Sequence, residues 1–433
     1  MDKMRPPLFS SPTLSYKVGS STMRIQTKFV TAVALIGVGV LLLLYVLVPS
    51  SRTTDYHYHS PLQSLNSYYL SKSSNGFGDK MQLKHENSAD VAGTSHSPSH
   101  CVPTPYNSTY PFTKTVVLEK RGVMRYRIAV VADLDTDSKD TVENHTWNSF
   151  IRKATFILHL QGYLELHREY RSAEVSWDAD VIKVSSKLSY GGRGLELSEL
   201  VVFNGRVYSV DDRTGVVYRL DPVTHGIVPY VVLTDGDGNS EKGFKSEWAT
   251  VKDEVLYIGG LGKEWTTSTG EMINHNPQWI KTINSQGQVH NHNWTERYIQ
   301  LRKAVGIEFP GYMIHEAVSW SPHRREWVFL PRRASPQPYD EKTDERRGTN
   351  LMLTASEDFT RITHATVGEV IDTHGFSSFK FVPNTRDEII LAVKSEEVDG
   401  RTSSYIMVFD IKGRIIMPET KIDEHKYEGV EFF

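Results

Sequence analysis

Glu196-Leu-Ser-Glu-Leu-Val-Val-Phe-Asn-Gly-Arg-Val-Tyr-Ser-Val-Asp-Asp212 holds two β-branched and aromatic runs joined at Asn204-Gly205. An Asn-Gly pair tolerates positive φ at both turn positions, so the segment reads as a tight hairpin of two strands. A polar residue opens the first strand and a polar loop follows the second. The pattern recurs in Ser246-Glu-Trp-Ala-Thr-Val-Lys-Asp-Glu-Val-Leu-Tyr-Ile-Gly-Gly260, in His315-Glu-Ala-Val-Ser-Trp-Ser-Pro-His-Arg-Arg-Glu-Trp-Val-Phe-Leu330 and in Phe376-Ser-Ser-Phe-Lys-Phe-Val-Pro-Asn-Thr-Arg-Asp-Glu-Ile-Ile-Leu391. A truncated fifth instance is Tyr427-Glu-Gly-Val-Glu-Phe-Phe433. Repeats of roughly 50 to 70 residues, each able to build a small sheet, point to a β-propeller instead of a sandwich.

Five instances predict an all-β, five-bladed β-propeller. The last repeat breaks off after one strand, so that strand is expected to complete a blade begun by Arg127-Ile-Ala-Val-Val-Ala132. Ring closure of this kind protects exposed sheet edges. The one helical pattern of note, Glu296 to Val305, reads as an insertion between strands.

Outward from the repeats, the texture changes at Tyr106. Residues 49–105 are rich in Ser, His, Asn and Tyr with little apolar periodicity and read as a flexible stem. Before them, Phe29 to Val48 is an uncharged apolar run of about 20 residues, enough to span a ~30 Å hydrocarbon core as a helix. Residues 1–28 carry Lys3, Arg5, Lys17, Arg24 and Lys28 against the single acid Asp2, so the positive-inside rule makes them a cytosolic tail. The expected organisation is therefore a tail at 1–28, a type II signal anchor at 29–48, a lumenal stem at 49–105 and the propeller at 106–433. The sequons at Asn107, Asn144 and Asn293 all fall on the lumenal side. Cys101 is the only cysteine, so the fold is held by its core. Its thiol is either free in the stem or the link of a homodimer. A formal net charge of −3 over 433 residues gives no general attraction for nucleic acid, and any basic site must be local.

If the repeats are blades, their opening residues share one radial place and face the central channel. These are Ser198 with Glu199, Glu247, Glu316, Ser377 and Glu428. Converging carboxylates repel unless a cation neutralises them, and an all-oxygen set suits a hard ion such as Ca2+. Two further acidic runs, Asp133-Leu-Asp-Thr-Asp-Ser138 and Asp235-Gly-Asp-Gly-Asn-Ser240, begin like EF-hand loops but carry Ser at position six and no Glu at position twelve. They are not expected to be EF-hands. Asp133 and Asp135 follow a strand directly, which places them at a channel mouth.

Six motifs in chain order carry a resemblance: Ala132-Asp-Leu-Asp-Thr136, Ser209-Val-Asp-Asp-Arg-Thr-Gly215, Gly259-Gly-Leu-Gly-Lys-Glu-Trp265, Pro331-Arg-Arg-Ala-Ser335, Thr373-His-Gly-Phe-Ser-Ser-Phe-Lys-Phe381 and Lys426-Tyr-Glu-Gly-Val430. Together they resemble the calcium-activated nucleotidase family, which includes vertebrate Golgi and endoplasmic-reticulum enzymes and the salivary apyrases of blood-feeding insects. The resemblance implies a propeller with one axial Ca2+ that hydrolyses nucleoside di- and triphosphates to monophosphates, with UDP and GDP preferred, in the secretory lumen. It places the calcium ligands on Ser198, Glu199, Glu247, Glu316, Ser377 and Glu428, with Glu199 standing where the family often has Asp.

Phosphoanhydride hydrolysis needs neutralised phosphates and an oriented water. Arg213, Lys263, Arg332 and Arg333 are the candidates for phosphate binding, because a guanidinium fork matches phosphate oxygens. Asp133, Asp135, Asp211 and Asp212 are candidates to orient or deprotonate water. Trp265 or Phe376 is available to stack on a base. Two other functions fit a propeller: a calcium-dependent lactonase or esterase, which needs a channel-facing His such as His315 or His374, and a non-catalytic binding module.

Overall fold

The computed structural model describes residues 13–18, 21–26, 105–118, 122–161 and 169–433. The chain divides into two units, Met1–His96 and Ser97–Phe433. In the first, Thr13–Val18 pairs antiparallel with Ser21–Gln26. Among the described residues no helix is long and apolar enough to cross a membrane. The apolar run 29–48, the stem up to residue 104 and Cys101 lie outside the described residues.

The second unit is a five-bladed propeller of antiparallel sheets. Blade one runs from the axis outward through Leu197–Phe203, Arg206–Asp211, Val216–Leu220 and Ile227–Val232. Blade two is Trp248–Lys252, Val255–Gly259, Trp279–Ile283 and Val289–Asn293. Blade three is Tyr312–Ser321, Glu326–Ser335, Leu351–Ser356 and Ile362–Thr366. Blade four is His374–Phe381, Ile389–Val398, Arg401–Asp410 and Ile415–Asp423. Blade five joins the two ends of the unit: Tyr427–Phe432 is its inner strand, followed by Val123–Ala132, Trp147–Gln161 and Glu169–Ser186. The closing pair is antiparallel with Tyr427 opposite Ala132 and Phe432 opposite Ile128, as the broken fifth repeat predicts.

The local signals act as expected. Asn204 and Gly205 both have positive φ and turn the blade-one hairpin. The predicted helix is Thr295–Lys303, between the last strand of blade two and the first of blade three. The apolar core is not one cluster but five, each wedged between two neighbouring blades. The wedge between blades two and three is the most aromatic, with Trp248, Trp294, Trp320, Trp327 and Phe359 in mutual ring contact around Trp327. Each blade buries both faces this way, so the inner strands are buried from end to end, their polar residues included.

All five inner strands run in the same direction. Their first residues gather at one end of the axis, and the hairpin turns after them gather at the other. The site is built on the first of these ends.

Candidate active site and metal centre

Four of the inner strands carry a β-bulge near their start, and in each the extra, unpaired residue is one of the predicted ring. The register slips past Ser198 between Leu197 and Glu199, past Glu316 between His315 and Ala317, past Ser377 between Phe376 and Ser378, and past Glu428 between Tyr427 and Gly429. In blade two, Glu247 donates its N–H to the Gly259 carbonyl at 2.8 Å while Trp248 is registered against the same Gly259, the same two-against-one arrangement. A bulge re-aims a side chain and ends regular pairing. Five repeated bulges thus turn five equivalent residues out of their sheets. One oxygen each of Glu247, Glu316 and Glu428 lies within 4.8 Å of the other two.

Glu199 is not a sixth member of this group. The residue after the bulge, it is fully buried, and its carboxylate accepts from Ser378 Oγ at 2.8 and 3.0 Å and from Leu200 N, and lies 2.9 Å from Lys380 Nζ. Ser198, Glu199 and Ser377 are all absent from the lining of the cleft described next; what sets Glu199 apart is that its carboxylate is already engaged by Ser378, Leu200 and Lys380.

The triad forms the floor of a cleft of about 280 Å3. Three basic side chains reach down to it. Arg332 Nη1 donates to Glu316 and, at 2.7 Å, to Glu428. Lys245 Nζ pairs with Asp212 and lies 2.8 Å from Glu247 Oε1, off the line of a hydrogen bond. Lys426 Nζ pairs with Asp135, with Asp133 at 2.8 Å and with Glu428 at 3.9 Å. Burial pushes Glu247 up to about 8 against the pull of Lys245, with the nearby Glu316 charge adding to the rise. Glu428 is pushed well above the carboxylate range, again chiefly by burial. Asp133 rises to about 6 because burial outweighs the Lys426 ammonium. Asp135 is more exposed and goes the other way, since Lys426, Lys245 and Arg193 together outweigh its desolvation.

Of the residues singled out in the sequence, Asp133, Asp135, Asp212, Lys263, Arg332, Arg333 and Trp265 line this cleft with Glu247, Glu316 and Glu428. Asp211 and Arg213 do not. Asp211 is fully buried and accepts the backbone N–H of Leu195, Arg213 and Thr214, which makes it the knot of its turn. Arg213 lies over the Tyr190 ring. Phe376 is buried in the wedge between blades three and four. His315 is packed between Tyr298 and Phe329, and His374 stacks on Tyr405 and pairs with Glu419, so neither faces the cleft.

Sequence reasoning missed Lys245, Lys426, Tyr339, Asp344 and Glu397, all of which line the cleft. A signal for the two lysines was present. Lys245-Ser-Glu247 and Lys426-Tyr-Glu428 place Lys two residues before a ring carboxylate, and the same register position in blade one is Glu196. Glu196 forms a second acidic group with Asp133 and Asp135, crossed by Arg193, which pairs with Glu196 at 2.6 Å and Asp135 at 3.1 Å. Tyr339 and Asp344 come from the connection between Glu326–Ser335 and Leu351–Ser356, Asp344 at the end of its one-turn helix Glu341–Asp344, outside any repeat, where register says nothing.

The ring fits a hard divalent cation. Its donors are carboxylate and hydroxyl oxygens with no nitrogen or sulfur, and one of its buried atoms, Ser198 Oγ, has no hydrogen-bond partner. Buried polar atoms are seldom left so. Calcium takes six to eight oxygens in loose geometry, which suits a ring drawn from five blades better than the strict octahedron of magnesium.

Residues 134–433 match the family model described as Apyrase. The chain is 53% identical over 327 residues to the soluble calcium-activated nucleotidase 1 of Rattus norvegicus, covering 76% of this chain and 78% of the relative. It is 45% identical to an apyrase of Cimex lectularius over 75% of this chain and 87% of the relative, and 45% identical to the apyrase apy-1 of Caenorhabditis elegans over 72% and 85%.

Proposed function

The chain belongs to the apyrase family, and from that membership we propose that it is a calcium-dependent nucleotidase that hydrolyses nucleoside di- and triphosphates to monophosphates and phosphate, with UDP and GDP the preferred diphosphates. The observation that carries the reading is one cleft that holds a carboxylate triad, Glu247, Glu316 and Glu428, together with Arg332, Arg333, Lys245 and Lys426. A carboxylate ring alone would repel a polyphosphate, and basic residues alone would hold no calcium; here both sit within one ligand's length.

Glu247, Glu316 and Glu428, with Ser198 and Ser377, would hold Ca2+, which when bound neutralises charge on the phosphate oxygens. Arg332 is buried and its guanidinium is raised well above its usual range, so it stays a cation throughout the accessible pH range. With Nη1 engaged by Glu316 and Glu428, its remaining N–H groups would hold phosphate oxygens, and Arg333, the next residue, donates to the Glu345 carbonyl at 3.1 Å. Asp133 is oriented by Lys426 and by the Asp135 N–H, which donates to its Oδ1 at 2.8 Å. A carboxylate poised near pH 6 is suited to take a proton from water as that water attacks the terminal phosphorus and the shortened nucleotide departs, a diphosphate giving the monophosphate in one cycle and a triphosphate in two. The lactonase alternative gains nothing, because no His lines the cleft among the described residues.

In this reading the protein is a type II membrane protein of the Golgi or endoplasmic reticulum whose lumenal domain removes the UDP left by glycosyltransferases, supporting proteoglycan synthesis. The support is the apolar run 29–48 and its basic flank. The test is phosphate release from UDP, GDP, ADP and a lactone, with and without a calcium chelator. Release from UDP and GDP that stops on chelation is expected. Activity indifferent to chelation, or confined to the lactone, would overturn the proposal.

A further inference from the structure

Eight carboxylates line the cleft against five basic side chains, and one of the eight is held differently from its neighbours. Glu316, Glu428 and Asp133 are at most 9% exposed, and each is in close contact with Arg332 or Lys426. The side chain of Glu397 is 44% exposed, and among the described residues its charged partners are Arg332 Nη2 at 3.5 Å and Lys426 Nζ at 4.0 Å. Both contacts are long. They fall on the edge of Arg332 that its two buried glutamates leave free, so the Glu397 carboxylate stands beside the place of a phosphate oxygen. Resting on the nucleotidase reading above, we propose that Glu397 is a positioning residue for product release. Its tethered carboxylate occupies the outer edge of Arg332 in the empty cleft, yields it to a phosphoryl group, and takes it back as inorganic phosphate leaves.

The geometry makes Glu397 the partner that moves. Arg332 cannot retreat: its Nη1 is engaged by Glu316 and Glu428, and its stem lies against Gly375, where a Cβ would stand 2.3 Å from Arg332 Cγ. The backbone under Glu397 is equally fixed. Glu397 is registered opposite Thr402, one pair before a two-residue turn in which Asp399 and Gly400 both have positive φ. Asp399 N donates to Glu345 Oε2 at 3.1 Å, which ties this turn to the loop of blade three. Strand alternation sends the preceding Glu396 to the opposite face, where it accepts from Tyr405 OH at 2.9 Å and Thr373 Oγ1 at 3.0 Å. What remains free to swing is the side chain of Glu397.

A cleft that binds substrate and product phosphate equally well gains nothing in turnover. Arg332 and Lys426, both buried cations, would retain the inorganic phosphate that hydrolysis leaves on them. A carboxylate tethered beside them competes at an effective concentration in the ~mM range, as linked groups do. It therefore re-forms its contacts each time the phosphate loosens. The same competition weakens substrate binding, so loss of Glu397 is expected to tighten both.

The experiment follows UMP formation from UDP with inorganic phosphate added as inhibitor, in the wild-type full chain, Glu397→Gln and Glu397→Asp. Glu397→Gln keeps the shape and removes the charge. Its inhibition constant for phosphate is expected to fall about 3- to 10-fold, the scale of one or two exposed ion pairs, with KM for UDP falling alongside and kcat not rising. The difference from wild type is expected to shrink with added salt, which screens an exposed charge. Glu397→Asp, which keeps the charge, is expected to stay close to wild type. A merely damaged cleft would bind phosphate more weakly, not more tightly. An inhibition constant that is unchanged or larger in Glu397→Gln overturns the proposal and leaves the nucleotidase reading standing. A wild-type protein that forms no UMP from UDP overturns both.

Discussion

Glu316 and Glu428 share one guanidinium, that of Arg332, so a change at any of the three is felt by the other two. Glu316→Gln removes one of the three carboxylates facing the axis. Calcium affinity, read by titration calorimetry, is expected to fall at least about tenfold, the loss seen even for residues one step behind metal ligands. The stabilisation by saturating calcium is expected to shrink with it, since a ligand stabilises by its affinity for the native state. An unchanged affinity would remove Glu316 from the site. Asp133 tests the chemistry instead. Its folded pKa, raised to about 6, leaves it protonated in acid, so activity is expected to fall as pH drops through 6. Asp133→Asn is expected to lower kcat by ~10²-fold or more with little change in KM, as for loss of a general base. A variant that keeps its rate and acid limb would assign proton transfer elsewhere.

At the scale of elements, the bulge explains what was legible and what was not. Recurrent Ser or Glu at strand starts was visible in one dimension, and all six predicted ligands were assigned on that basis. The bulge itself was not visible, and it is what turns out Ser198 while sending Glu199 to Ser378 and Lys380. The loop Asp235-Gly-Asp-Gly-Asn-Ser240 shows a second limit of sequence. It has the look of a calcium loop, but the buried ammonium of Lys281 occupies it, donating to the Gly236 carbonyl at 2.5 Å and to Asn291 Oδ1 at 2.8 Å over the Phe244 ring. Lys281 comes from a strand some 40 residues away, and no local pattern announces it. Burial lowers its pKa to about 8, against the pull of Asp235 and Asp237. The unfolded chain therefore binds this proton more tightly than the native state, and stability from this group rises between pH 8 and about 10.4. Thermal melts of the wild type and Lys281→Met are expected to diverge over that window, the wild type gaining. The variant is expected to be less stable by ~1–3 kcal/mol for each polar partner left bare. Parallel pH profiles would show that Lys281 does not titrate there.

Across the whole molecule, five wedges replace a single core, and each blade belongs to two of them. Loosening one wedge therefore loosens both neighbours. Trp327→Ala empties the centre of the wedge between blades two and three and is expected to cost ~3–5 kcal/mol. Calorimetry should show one transition, shifted as a whole; a separate early transition would mean that the blades unfold independently. The ring is shut by pairing Val123–Ala132 with Tyr427–Phe432, partners about 300 residues apart. Translation runs at ~5–20 residues per second, so the first strand waits roughly 15–60 seconds for the second. During that interval a strand of near-continuous apolar character has one hydrogen-bonding edge bare, and Glu428 has not yet joined the triad. The clock of synthesis thus becomes part of the fold: chains arrested before residue 427 are expected to be held by chaperones and deaf to calcium, and pull-down of stalled nascent chains of increasing length would date the moment at which both change.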